Sequence, residues 1–85
     1  MDTAEIKSVF TGCSFEKTDG FRYVQCAADN APIIGLMERL GMPGEAKGKG
    51  QVEFQLTEGA CSVQGEDGQA VWRYVAEQTE DLPYG

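Results

Sequence analysis

Asp29–Gly44 reads DNAPIIGLMERLGMPG, and no other segment of the chain has so clear a start and stop. Asp29 or Asn30 can accept the first free backbone N–H groups as an N-cap, and Pro32 suits a first helical turn, where its missing N–H is no loss. Ile33, Leu36, Met37 and Leu40 recur at i, i+3, i+4 and i+7, one apolar stripe of an α-helix, while Glu38 and Arg39 point away from it. Gly41 fits the left-handed position just past the helix end, and Pro43 forbids continuation. Isolated helices need roughly 12–15 residues to hold in water. This one is shorter, so its stripe must rest on something, and the segments on either side read as strands.

Upstream, Ser14–Ala28 reads as a β-hairpin, with Ser14–Lys17 and Phe21–Ala27 as its arms and Thr18-Asp19-Gly20 as the turn. In the second arm Phe21, Tyr23 and Gln25 face one way and Arg22, Val24 and Cys26 the other. Large groups on both sides predict a central strand, covered on part of each face. Met1–Thr11 has two readings. Asp2 with Glu5 resembles a capping box, and Ile6, Val9, Phe10 and Cys13 repeat the helical spacing; the rival is a strand centred on Ser8–Thr11. The helical reading is preferred.

Downstream, Gly44–Gly50, GEAKGKG, reads as a flexible connector. The connector reading is favoured over a phosphate-binding loop: the spacing from Gly44 to Gly48-Lys49 is one residue short, Gly50 stands where Ser or Thr would hold the metal, and the segment follows a helix where the motif follows a strand. Gln51–Thr57 alternates strictly, with Val52, Phe54 and Leu56 towards a core and Glu53, Gln55 and Thr57 outwards. Ala60–Gln64 reads as a short strand burying Cys61 and Val63, and Gly65-Glu66-Asp67-Gly68 as a hairpin turn. Gln69–Gln78 fits a strand or a helix capped by Asp67. The turn before it and the run Val-Trp-Arg-Tyr-Val favour the strand. Thr79–Gly85 reads as an acidic tail, frayed or loosely docked.

The expected fold is therefore α+β: a two-layer arrangement, a largely antiparallel sheet of four to five strands with one central helix packed on one face and a short N-terminal helix. Residues 1–78 form a single small domain and 79–85 its tail. The step from Phe21–Ala27 through the helix to Val52–Leu56 is long enough for a parallel crossover, right-handed if those strands are neighbours.

The 85 residues contain no histidine. The usual general base and the nucleophilic triads are thus missing, and no serine or cysteine sits in a signature context. The adjacent acids Glu66-Asp67 and Glu80-Asp81 lie in a turn and a tail, where exposed carboxylates are ordinary, and Asp67-Gly68 lacks the alternating ligands of a calcium loop. Cys13, Cys26 and Cys61 form no C-x-x-C, and four zinc ligands are not available. They read as reduced thiols packed as small hydrophobes. The sequence predicts a protein that is not an enzyme and takes no cofactor or metal.

Net charge is −7, unevenly spread: residues 1–49 balance to −1 and residues 50–85 to −6. An acidic balance argues against direct nucleic-acid binding, which needs a basic footprint, and favours a partner protein with a basic surface. No apolar run reaches the roughly 20 residues of a membrane span. Met1–Phe10 lacks a basic region followed by an apolar one, so a cytoplasmic protein is expected.

The function expected on these grounds is a small acidic protein-binding module, an inhibitor or adaptor. Its acidic C-terminal half would meet a basic surface, such as the nucleic-acid groove of a defence or regulatory protein; a phage counter-defence protein acting as a nucleic-acid mimic would fit. The residues expected to bind are Glu53, Glu58, Glu66, Asp67, Glu77, Glu80 and Asp81, with Trp72 as an aromatic anchor if it is not simply core. The alternative is a small-ligand-binding or oligomer-forming domain, for example a homodimer, with Phe21, Tyr23, Trp72 and Tyr74 along an apolar pocket or seam.

Overall fold

A computed structural model describes residues 1–27, 29–42, 44–55 and 65–84. In chain order these form α1 (Thr3–Val9), β1 (Cys13–Thr18), β2 (Phe21–Cys26), α2 (Ala31–Leu40), β3 (Gly44–Ala46), β4 (Gln51–Gln55) and α3 (Gly65–Thr79). The four strands make one antiparallel sheet in the order β1-β2-β4-β3. The α+β layout holds, but among the described residues three helices accompany the sheet where one central helix and a short N-terminal one were expected. The expected strand at Ala60–Gln64, with Cys61 and Val63, lies outside the described residues, as do Leu56 and Thr57.

Local signals account for most of these elements. Asp2 caps α1 by accepting a hydrogen bond at 2.9 Å from the Glu5 N–H, one half of a capping box. In α2, Asn30 occupies the N-cap position, but it is the Asp29 carboxylate that accepts from the Ala31 N–H at 3.1 Å. The Asn30 amide instead donates across to the Gln51 carbonyl. Gly41 ends the helix in the left-handed region, φ 65° and ψ 33°, and Ile33, Leu36 and Met37 are buried while Leu40 is half-buried. The β1–β2 hairpin turns on Asp19-Gly20 alone, so Thr18, read as part of the turn, belongs to β1 and stands opposite Phe21, with Cys13 opposite Cys26.

Three expectations are corrected. The connector at Gly44–Gly50 is half strand: β3 pairs with β4, Gly44 opposite Phe54 and Ala46 opposite Val52. Glycine is required at its first position, because a methyl group there would collide with Met37 Cε of α2 and with the Glu53 carbonyl. The crossover from β2 to β4 is not parallel. The chain leaves α2 onto the outer edge as β3 and turns back as β4, so β4 arrives antiparallel to β2.

The third correction is the largest. Gly65–Thr79 is a helix, and the expected hairpin turn at Gly65–Gly68 is its first turn. Its buried stripe is Gly68, Val71, Trp72, Val75 and Thr79, at helical spacing over three turns. Gly68 and Thr79 lie outside the Gln69–Gln78 window, and without them the stripe is too short to outweigh the strand preference of Val-Trp-Arg-Tyr-Val. Burial of the whole stripe overrides that local preference.

Each helix touches the same face of the sheet. Phe10, just after α1, lies 6.0 Å from Phe15 and 6.2 Å from Phe54 between ring centroids. Met37 of α2 covers Gly44, and Trp72 of α3 meets Phe54 edge-on at 5.2 Å. Val24, Val52, Phe54, Val71 and Val75 are fully buried in this cluster. At β1's edge Lys17 is 8% exposed; its ammonium donates to the Glu80 carbonyl at 3.0 Å and lies 4.6 Å from the Tyr84 ring centroid. The end of the chain, expected to be frayed or loosely docked, meets β1, where Lys17 and Tyr84 form a parallel bridge.

Candidate functional site

Because side chains alternate along a strand, the residues between the core positions form a second face. The strand registers set Glu16, Tyr23, Glu53 and Glu45 in one row across all four strands. Thr18, Phe21 and Gln55 make the next row. Among the described residues no helix crosses this face. Glu16, Glu45 and Gln55 are exposed, and Phe21, Tyr23 and Glu53 half-buried. A cleft of about 420 Å³ opens above Tyr23, walled by Glu16, Thr18 and Gln51 on the sheet side and by Leu82 and Pro83 from the chain end.

Glu45 and Glu53 are directly opposite each other. Like charges in that position repel, and Lys47 relieves the repulsion. Its ammonium sits 2.7 Å from Glu45 Oε1 and 3.9 Å from Glu53 Oε1. The hydrogen-bonded Glu45, then the charges of Glu45 and Glu53, hold the Lys47 ammonium above its ordinary range. The Lys47 ammonium thus lies between two carboxylates of the row that also carries the half-buried Tyr23.

The sequence-expected site is not one surface. Glu53 stands on the open face, whereas α3 packs on the opposite one. Glu66 and Asp67 lie in the first turn of α3, and Glu77, Glu80 and Asp81 at its other end. A 15-residue helix separates its ends by about 22 Å, so these acids form two groups. Asp67 pairs with the N-terminal ammonium, which raises the pKa of that amine. Around Glu77 and Glu80 lie Lys17, Arg22 and Arg73, lining a common cleft of mixed charge. Glu58 lies outside the described residues. Trp72 is 1% exposed and belongs to the core; among the described residues its indole N–H has no acceptor.

The expected aromatic pocket is likewise divided. Phe21 and Tyr23 are on the open face, while Trp72 packs on Phe54 and Tyr74 stacks on Phe10 at 5.5 Å on the helical side. Sequence reading missed Glu16 and Glu45. The signal for Glu16 was present in its spacing from the turn, but Glu45 sat in a segment read as a connector. Among the described residues no three His, Cys, Asp or Glu side chains converge as a metal site would need, and no helix is long and apolar enough to cross a membrane. Compared with models of known families, with curated proteins and with solved structures, the chain matches none.

Proposed function

We propose that the protein is a small, non-enzymatic, protein-binding module, an inhibitor or adaptor, that sets the open face of its sheet against a basic surface of a partner. The observation that supports this most is the cross-strand row Glu16–Tyr23–Glu53–Glu45, with Lys47 already held between two of its carboxylates. A lysine or arginine from a partner would take the same seat, with the Tyr23 ring as a cation–π platform worth about 0.5–1 kcal/mol where exposed. The acidic net charge would draw a basic groove towards the protein before contact. The basic groove of a nucleic-acid-binding protein in the cytoplasm, as in phage counter-defence, is one setting of this chemistry.

The test is a nuclear magnetic resonance titration with a lysine- and arginine-rich peptide. Saturable shifts at Glu16, Tyr23, Glu45 and Glu53 are expected. Binding should weaken steeply from about 50 to about 500 mM salt, as the Debye length falls from about 14 to about 4 Å. The pair Glu16→Lys with Glu53→Lys should lower affinity about tenfold or more. Shifts confined to Glu77, Glu80 and Asp81, or affinity indifferent to salt, would overturn the reading. A homodimer through the same face is disfavoured by its charge, since two copies would oppose glutamates to glutamates; a monomer by light scattering is expected.

A further inference from the structure

We propose that Cys13 and Cys26 form a redox site, a dithiol that closes to an intramolecular disulfide on meeting a small-molecule disulfide such as oxidised glutathione. The two residues are directly opposite in the β1–β2 register. Their backbone N–H groups go elsewhere: Cys13 donates to the Phe10 carbonyl at 3.2 Å and Cys26 to the Gly50 carbonyl at 2.6 Å. They are therefore a non-hydrogen-bonded pair, the closer of the two antiparallel spacings, with Cα atoms about 4.5 Å apart. That lies inside the window of about 4.4–6.8 Å that a disulfide accepts. The sulfurs are already in direct contact, 2.8 Å apart.

Access differs between the two. Cys13 is half-buried and Cys26 6% exposed. Burial, the Cys13 thiol beside it and the charge of Asp29 push the Cys26 thiol up to about 12. Cys13 is thus the sulfur that starts. Its thiolate attacks one sulfur of the oxidant, the oxidant's S–S bond breaks, and one reduced thiol leaves. Cys26 then gives up its proton and attacks the Cys13 sulfur, forming the protein disulfide and expelling the second thiol. The two cysteines lose two protons and two electrons, and the oxidant's disulfide becomes two thiols. The bond would pin the start of β1, where α1 enters the sheet, to the end of β2, where the chain leaves for α2. None of this rests on the proposed binding role.

The experiment uses the full chain with Cys61→Ser, equilibrated in glutathione buffers from reducing to oxidising. A loss of about 2 Da, two hydrogens, is expected in the intact mass. A peptide map should join Cys13 to Cys26, and the melting temperature should rise by on the order of 10 °C over the reduced form. Adding Cys13→Ser or Cys26→Ser should abolish the mass loss, with circular dichroism showing each variant folded. In the unsubstituted chain the same Cys13–Cys26 peptide should appear. No mass loss in the most oxidising buffer, or a linkage found only through Cys61 in the unsubstituted chain, would overturn the proposal.

Discussion

On one side of the sheet, Phe15, Val24, Val52 and Ala46 lie in a row across the strands; on the other, one residue along each strand, lie Glu16, Tyr23, Glu53 and Glu45. Val24 and Val52 are fully buried beneath three helices, while the second row faces away from them. The strands share one backbone and one register, so the two rows are fixed relative to each other. A slip of one residue would exchange them, burying three glutamates and exposing the core. The pairing that builds the core therefore also composes the acidic face. Substitutions on the two faces should separate cleanly into effects on stability and effects on binding.

The largest effect is expected for Phe54→Ala. Phe54 is fully buried against Phe10 and Trp72, and its truncation should cost about 3–5 kcal/mol by urea denaturation. A loss below about 1 kcal/mol would mean that the helical side is not the packed one.

Next comes alkaline pH acting on the reduced protein. Cys26 has an ordinary pKa of 9.0 and stands at about 12 in the fold. The folded state holds that proton more tightly than the unfolded state. The stability it contributes is complete below pH 9 and lost as pH rises towards 12, at about 1 kcal/mol per pH unit. Urea denaturation from about pH 8 to about pH 11 should show this extra slope in the parent chain and not in Cys26→Ala.

Tyr23→Ala tests the other face. The side chain is half-buried on the open face, so stability should change by about 1 kcal/mol or less, while binding of the basic peptide should fall several-fold. Smallest of all is Lys47→Ala. An exposed ion pair of this kind contributes little, so the melting temperature should not move measurably. The freed carboxylates of Glu45 and Glu53 should instead bind the basic peptide more tightly, and weaker binding would count against the row as a cation seat.

Much of this molecule is legible in its sequence. The capped stretch at Ala31–Leu40 carries its own start, stripe and stop, and the hairpin from Cys13 to Cys26 carries its own turn, because those signals act between residues close in sequence. Strict alternation in Gln51–Gln55 likewise assigned Glu53 and Phe54 to opposite faces. At Gly44–Ala46 and Gly65–Thr79 local composition pointed the wrong way. Three glycines and two lysines describe a connector, yet Gly44–Ala46 gains a strand's hydrogen bonds from β4 and a cover from Met37. A β-prone run became a helix because Gly68 and Thr79 complete a stripe that only the core rewards.

The candidate site followed the same division. That the chain is acidic and lacks histidine was plain from composition. Which acids stand together was not, since a row across a sheet joins residues 16, 23, 53 and 45, and its members meet only through register. Counting charge along the chain grouped Glu53 with Glu66 and Glu77, but the sheet puts them on opposite sides. Sequence specifies which residues can turn, cap and alternate. Distances between strands, and hence which carboxylates share a surface and which thiols touch, are set by pairing and packing over the whole chain.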